Sequence, residues 1–296
     1  MNRYGTLEIT TVIGCNIRCR ACPQERLLSS YFQQDKYRTS KMSIETFKKC
    51  IDSLPDDIRI DFSGMAEPWL NSACSEMLSY AAEKGHPIAV YTTLVGMGLE
   101  DVDIIFKYHY KDFVVHVPDS NGNSNILITD EYLEILKKLL SADQLIGRKI
   151  VSGISCHGKL HEKLQFLNKA NGLYYINDLH DRAGNVETGT LDLFTCELRG
   201  PFRCIECGLD LNHNVLLPDG TVLLCCMDYG MRHIMGNLLK DSYDMILSGV
   251  EHEKVVQGMK SEDEDILCRK CYNARNIDGI YREFRAARER YQNLLK

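Results

Sequence analysis

Short apolar runs alternate with amphipathic segments along the first half of the chain. The runs have the length and β-branched content of buried strands, and the segments between them repeat apolar residues at helical spacing. This order predicts a wound α/β domain in which helices connect parallel strands. The six predicted strands are Leu7–Ile13, Ile58–Ser63, Ile88–Thr93, Phe113–Val117, Lys149–Ser155 and Leu173–Leu179.

The segments between these strands predict helices, and Ser43 and Asp130 stand where N-caps belong. Crossovers between parallel strands are right-handed, so six βα units predict a partial (β/α)6 barrel, short of the eight that close a complete one. Ligands are then expected at the carboxyl ends of the strands. The predicted helices are Ser43–Leu54, Ser72–Lys84, Leu99–Lys107, Asp130–Leu140 and Lys159–Asn168.

The alternation of predicted strands and helices ends at about residue 181. Glycines cluster after it, and seven cysteines fall between Cys196 and Cys271. Asp219-Gly220 between two apolar runs predicts a β-hairpin. A second, smaller, cysteine-rich module therefore follows the barrel, and a final helix with an apolar stripe packs back on the barrel or faces a partner. We expect the divisions 1–190, 191–275 and 276–296.

Composition narrows the function classes. The 296 residues are 44% apolar and 26% charged, as in a globular protein, and 35 Lys and Arg against 41 Asp and Glu give a net charge of −6. This acidic balance argues against nucleic-acid binding. The N-terminal apolar run is too short and polar for a signal peptide or a membrane span. The sequence predicts a cytoplasmic protein without a membrane partner.

Cysteine is unusually abundant, with 13 residues. A long chain without an export signal is expected where thiols stay reduced, so metal or redox chemistry is favoured over disulfides. Cys50 and Cys74 lie in predicted amphipathic helices and are interpreted as structural.

The first cysteine group is a CxxxCxxC motif, Cys15, Cys19 and Cys22, directly after the first strand. Three thiolates on one loop can bind three irons of a [4Fe–4S] cluster and leave the fourth iron open. An open position accepts an external ligand, such as one with an amine and a carboxylate. The alternative, a zinc knuckle, usually has four ligands in CxxC pairs.

The second group combines a pair 17 residues apart with a later CxxC pair. Four thiolates would fully ligate an auxiliary [4Fe–4S] cluster, and a zinc site with four cysteine ligands fits the same spacing. Cys204 or Cys196 remains an alternative ligand, and Cys226 is expected to point away from the cluster. The four assigned ligands are Cys207, Cys225, Cys268 and Cys271.

The first motif, on the loop after strand one of a partial barrel, resembles the radical S-adenosylmethionine (radical SAM) superfamily, whose open iron binds SAM. The loop after strand two resembles the family's glycine and glutamate motif, which holds the SAM amino group. A loop without bulky side chains lets carbonyls approach an ammonium, and an acid supplies the counter-charge. An ordinary turn is the alternative. The matching residues are Ser63, Gly64, Met65, Ala66 and Glu67.

Two positions depart from the family pattern. Ala21 stands where an aromatic residue often precedes the third cysteine, and Thr92-Thr93-Leu94 replaces a common Thr-Asn at the end of strand three. Thr92 stays a candidate for cofactor binding. For the ribose, the resemblance implies polar residues at the end of strand four, here His116 and Asp119, although a histidine on a strand is often structural.

Gly220 between Cys207 and Cys225, followed by Gly236-Asn-Leu, resembles the SPASM and twitch extensions of the same superfamily. Complete SPASM modules hold two auxiliary clusters and have further cysteines. The sequence has none after Cys271, which favours the single-cluster twitch type.

The resemblance implies that an electron from the first cluster cleaves SAM to a 5′-deoxyadenosyl radical, which abstracts a substrate hydrogen. The auxiliary cluster then accepts a second electron, so net oxidation follows. The chain resembles sugar and aminocyclitol dehydrogenases, which use a small-molecule substrate and a low-potential donor such as flavodoxin or ferredoxin. Arg182, His157 and His180 are candidate bases, and Cys156 is a candidate hydrogen-atom donor.

Three other functions remain open. Peptide maturation is an alternative; the early first strand is expected to leave no room for the usual N-terminal leader-binding domain, which a separate chain could supply. Sugar epimerisation would use Cys156 and no net oxidation. A non-catalytic iron or zinc scaffold explains the cysteines, but it does not explain an open coordination site beside Gly64 and Glu67.

Overall fold

The computed structural model describes residues 5–187, 189 and 192–276, and it contains all six predicted strands. Each of the six pairs in parallel with its neighbour in chain order, which confirms the partial (β/α)6 barrel. Several strands are shorter than predicted because their last residues belong to the loops at the carboxyl edge. They are β1 (Thr6–Ile9), β2 (Arg59–Phe62), β3 (Ile88–Thr92), β4 (Asp112–Val117), β5 (Gly153–Cys156) and β6 (Leu173–Tyr175).

Helices cover one face of this sheet. Within the described residues, none is long and apolar enough to cross a membrane. They are α1 (Gln24–Gln34), α2 (Ile44–Asp52), α3 (Cys74–Glu83), α4 (Leu99–Ile105), α5 (Asp130–Leu140) and α6 (Ala142–Ile146), with 3-10 helices at Pro68–Leu70 and Glu162–Lys169.

The helix predictions need three corrections. Thr129, not Asp130, caps α5, because its side chain accepts from the Tyr132 amide; Ser43 caps α2 as predicted. The predicted Lys159–Asn168 helix is the 3-10 helix Glu162–Lys169. α1 and α6 were not predicted, since α1 is mostly polar and α6 is a five-residue continuation of α5.

The core lies between the sheet and the helices. Side chains alternate along each strand, so Leu7, Ile60, Val90 and Val115 all point toward the helices and are fully buried. Each such side chain contributes about 1.5–3 kcal/mol through burial. The opposite face of the strands carries mostly polar residues, and it is this face that the partial barrel encloses.

The cysteine-rich segment extends the barrel sheet. Its hairpin, β8 (His213–Leu216) and β9 (Thr221–Leu223), joins the barrel sheet with β10 (Ile234–Asn237), and β8 runs parallel to β1. Gly220 turns the hairpin as predicted, with φ +83°. The predicted helix within 276–296 and the division at 190/191 lie almost wholly outside the described residues.

The remaining elements flank this extension. β7 (Phe202–Cys204) and β11 (Ala274–Asn276) form a small antiparallel pair. The helices are α7 (Tyr243–Leu247), α8 (Val250–Lys260) and a 3-10 turn at Leu267–Lys270, which carries Cys268.

Candidate active site

The loops after β1 and β2 lie against each other at the carboxyl edge of the sheet. Gly64 has φ +60°, and a Cβ there would lie 2.4 Å from Thr10 Oγ1 and 2.8 Å from Thr10 N. The Met65 amide donates to the same Thr10 hydroxyl at 3.0 Å. Glycine is therefore required here because Thr10, directly after β1, approaches so closely, and not only because a ligand would approach.

Gln24, the first residue of α1, connects the two loops and was missed from the sequence. The Cys15 amide donates to Gln24 Oε1 at 3.2 Å. Gln24 Nε2 donates to the Met65 carbonyl and to Cys22 Sγ, the latter at 3.6 Å. The side chain is 7% exposed, so it is held in place by both loops. Its position two residues after the third cysteine was the available signal.

The three cysteines of the first motif share one neighbourhood. Burial raises the pKa of Cys15, which also accepts a hydrogen bond from the Glu67 amide. Burial raises the pKa of Cys19 to about 12, and Cys22 and Cys15 add to the effect. Three neighbouring cysteine thiols suit a [4Fe–4S] cluster, because thiolates are the ligands that bind its irons.

No three or more His, Cys, Asp or Glu side chains among the described residues converge on a single metal-ion position. A cubane cluster does not require such convergence, because each thiolate binds a different iron.

Glu67 is buried and held by four hydrogen bonds. Its carboxylate accepts from Thr92 Oγ1 at 2.6 Å, from the Thr93 amide and hydroxyl at 2.6 and 2.7 Å, and from the Trp69 amide at 3.4 Å. Burial raises its pKa, and the bonds from Thr92 and Thr93 oppose that shift. The Thr-Thr pair that departs from the family pattern thus positions Glu67 beside Cys15.

The Asp119 carboxylate forms its hydrogen bonds within its own loop. It accepts from the amides of Asn121, Asn123 and Ser124, and from two of their side chains. A carboxylate has about four lone-pair sites, so it is saturated. The Asn123 carbonyl in turn accepts from the Arg20 amide at 2.9 Å. Asp119 therefore supports the cysteine loop, and we do not retain it as a ribose ligand.

Three histidines and Arg182 lie close together on the enclosed side of the barrel. Burial, then the neighbouring His157 and Arg182, lower the pKa of His116 to about 4; His116 Nδ1 also contacts the Ser155 hydroxyl. Burial and Arg182 likewise lower the pKa of His180 to about 4 and that of His157. All three imidazoles are therefore neutral at pH 7.

Individual members of this group differ in their contacts. His180 stacks on Tyr272 at 4.0 Å, and its Nδ1 accepts from the Arg182 amide. His157 Nδ1 is buried and has no hydrogen-bond partner among the described residues. Arg182 itself has φ 51°, a left-handed backbone that costs a non-glycine residue energy.

The predicted position of Cys156 is wrong. It was expected to face the active site, but it is fully buried in the core on the helix side of β5, with Leu160 and Leu164. The reason is strand alternation: Ser155 faces the enclosed side, so its neighbour Cys156 cannot. Its thiol therefore cannot donate a hydrogen atom to a substrate on the enclosed side of the barrel.

A fifth thiol, that of Cys204, lies close to the four cysteines assigned to the second group. Burial raises the pKa of Cys225, and the nearby Cys268 and Cys271 raise it further. A hydrogen bond with Cys207 lowers the pKa of Cys204, and the same contact raises that of Cys207. Cys204 is also close enough to Cys268 and Cys271 to affect both. It therefore shares the site with the four assigned ligands.

Comparison with known proteins adds independent information. Residues 207–272 match the family model of SPASM, an iron–sulfur cluster-binding domain. The solved structure of BtrN in complex with AdoMet and 2-DOIA matches with a TM-score of 0.57 and 16% identity, over 93% of this chain and 94% of that one. The chain carries a SPASM domain on a radical SAM fold.

Two further structures share this fold. Native anSMEcpe with bound AdoMet and the Cp18Cys peptide matches with a TM-score of 0.56 and 13% identity, over 90% of this chain and 86% of that one. Streptococcus suis SuiB bound to S-adenosylmethionine gives 0.51 and 12%, over 91% and 71%. No curated protein matches the sequence significantly. The SPASM match begins at Cys207 and leaves Cys204 outside it.

Proposed function

We propose that this protein is a radical SAM oxidoreductase that dehydrogenates an alcohol of a sugar or aminocyclitol. The observation that carries the proposal is the contact between the Cys15–Cys22 loop and Glu67 at the carboxyl edge of a radical SAM fold that also holds a SPASM domain. A cluster held by three cysteines, next to an acid, suits an amine-bearing ligand.

The residues divide into three groups by proposed role. Cys15, Cys19 and Cys22 hold the first [4Fe–4S] cluster, and the backbone of the Ser63–Glu67 loop, which the Glu67 carboxylate anchors to Thr92 and Thr93, binds the SAM amino group. Cys207, Cys225, Cys268 and Cys271 hold the auxiliary cluster, with Cys204 as the alternative to Cys207. When bound, the cluster and SAM supply the radical that removes a hydrogen atom from the substrate.

A small polar substrate is supported by the enclosed face of the barrel. His213 Nε2 lies 3.0 Å from Glu8 Oε1, and the Ser63 hydroxyl donates to Glu8 at 2.9 Å. These polar groups suit hydroxyl and amine groups better than apolar side chains. The structure of BtrN, solved in complex with AdoMet and 2-DOIA, has the same fold.

Oxidation of an alcohol requires a group that accepts the hydroxyl proton. Arg182 stays charged, because neighbouring Tyr229 and Cys226 outweigh the effect of burial and raise its pKa. Of the two remaining candidates, His180 is stacked and already accepts a hydrogen bond. We therefore assign the base to His157, which is neutral and lacks a partner at Nδ1 among the described residues.

Product mass tests this function. Reconstituted enzyme with SAM, dithionite and a panel of sugars and aminocyclitols is expected to give a product lighter by two hydrogens, together with one 5′-deoxyadenosine per turnover. A product of unchanged mass in H2O that becomes one mass unit heavier in D2O would indicate epimerisation instead, and would contradict the dehydrogenase assignment.

Peptide modification is the second candidate. Its support is the likeness to anSMEcpe with a bound peptide, which is nearly as strong as the likeness to BtrN. The same mass assay distinguishes the two, because a peptide substrate gives a peptide product and leaves the sugars unchanged.

The auxiliary cluster has its own test. A Cys268→Ala/Cys271→Ala variant is expected to hold about four irons where the wild type holds about eight, since one cubane cluster is lost. Iron and sulfide analysis after anaerobic reconstitution measures this. Cys204→Ala is expected to keep about eight irons and Cys207→Ala to lose about four, because Cys207 is the assigned ligand. If Cys204→Ala loses four irons and Cys207→Ala does not, Cys204 is the ligand.

A further inference from the structure

Cys22 is contacted by two side chains that reach it from different parts of the chain. Gln24 Nε2 of α1 lies 3.6 Å from its sulfur, and the Tyr229 hydroxyl of the SPASM domain lies 3.9 Å away. In the thiol form Cys22 donates to the Tyr229 oxygen. A thiolate has no proton to donate, so in the ligand form Tyr229 must be the donor.

The position of Tyr229 is fixed by its surroundings. Its side chain is 5% exposed and packs in a small apolar cluster with Leu27, Met65 and Val215. The preceding residue, Asp228, is fully buried, and its carboxylate accepts from the Arg232 and His233 amides at 2.8 Å each. The turn that presents the phenol is therefore preorganised.

This turn begins at the auxiliary site. The Asp228 amide donates to the carbonyl of Cys225, an assigned auxiliary ligand, at 3.0 Å, and the phenol that reaches Cys22 belongs to the next residue. The Tyr229 hydroxyl is also close enough to Arg182 and Cys226 for both to affect its pKa. The phenol therefore lies between the first cluster site, the enclosed histidine group and the SPASM domain.

We propose that Tyr229, supplied by the SPASM domain, donates a hydrogen bond to the Cys22 thiolate and raises the reduction potential of the first cluster. Reduction adds negative charge to the cluster sulfurs, and a donor stabilises that charge more than it stabilises the oxidised state. The second domain is thus part of the redox site of the first. This inference rests on the proposed function.

The test is a redox titration of the reconstituted protein. Its readout is the electron paramagnetic resonance signal that changes when SAM is added. That change assigns the signal to the cluster on Cys15, Cys19 and Cys22. In Tyr229→Phe, the ratio of reduced to oxidised cluster at a fixed potential is expected to fall about tenfold, which is about 59 mV for a one-electron couple. The auxiliary signal should not shift.

Tyr31→Phe is the matched control. Tyr31 belongs to the same apolar cluster and is fully buried, but its hydroxyl donates to the Thr39 carbonyl at 2.7 Å. It loses the same atom without touching Cys22, so its potential should equal that of the wild type. An unchanged potential in Tyr229→Phe, or an equal shift in both variants, would overturn the inference.

A second variant decides the question if Tyr229→Phe fails to load the first cluster. In Gln24→Met, Tyr229 is the remaining side chain that hydrogen-bonds Cys22 among the described residues. Its hydroxyl deuteron must therefore still couple to the reduced cluster in D2O, in addition to the backbone amides that reach Cys15. A coupling that the amide deuterons account for alone contradicts the inference. A wild-type protein with no SAM-responsive signal would instead contradict the proposed function.

Discussion

A Cys15→Ala/Cys19→Ala/Cys22→Ala variant is expected to form no measurable 5′-deoxyadenosine from SAM, while it keeps about four of about eight irons. The three thiols are the proposed ligands of the first cluster, and no other described cysteine lies on the same loop. Enzymes accelerate reactions by at least about 10⁶-fold, so removal of the reacting cofactor reduces the rate below detection.

The measurement is 5′-deoxyadenosine by liquid chromatography after anaerobic incubation with SAM and dithionite. Cys50→Ala is the control, because Cys50 is fully buried in α2 and contacts neither cysteine group. It should keep all of its iron and its activity. Persistent SAM cleavage in the triple variant would contradict the assignment of Cys15, Cys19 and Cys22 to the first cluster.

Gly64→Ala is expected to have the second-largest effect, because it combines two costs. The left-handed backbone at φ +60° costs an alanine about 1–2 kcal/mol. The new methyl group also overlaps Thr10 Oγ1 and N, at 2.4 and 2.8 Å, and such overlap costs about 1–3 kcal/mol more. Since Met65 and Glu67 follow directly, the same displacement moves the loop proposed to hold SAM.

Denaturant unfolding of the reconstituted protein checks the first effect, and SAM binding checks the second. Gly147→Ala is the control: its φ is +73°, but a Cβ there would meet nothing within 4 Å. It carries only the backbone cost. Equal losses of stability in the two variants would show that the contact with Thr10 is unimportant.

Sequence periodicity was sufficient for the barrel, because alternation and helical spacing are local properties of the chain. All six strands and the parallel order follow from it, and the Asp219-Gly220 turn is equally local. The cysteine loops could also be predicted, since the number and spacing of thiols limits which metal centres they can hold.

Some errors had a simple physical origin. Cys156 was placed by proximity to a strand end, but the direction of a strand side chain depends on register, and one residue decides which face it takes. Asp119 was chosen as a polar residue at the right edge, and only the hydrogen bonds of its loop reveal that its oxygens are occupied.

The sequence by itself therefore determined the strand order of the barrel, the loop that carries the first three cysteines and the set of thiols for a second centre. Tertiary structure decided how these parts meet. It placed β8 beside β1, brought Thr92 and Thr93 to Glu67, and brought Gln24 and Tyr229 to Cys22. Contacts between residues far apart in the chain depend on how the elements pack, and no local pattern encodes them.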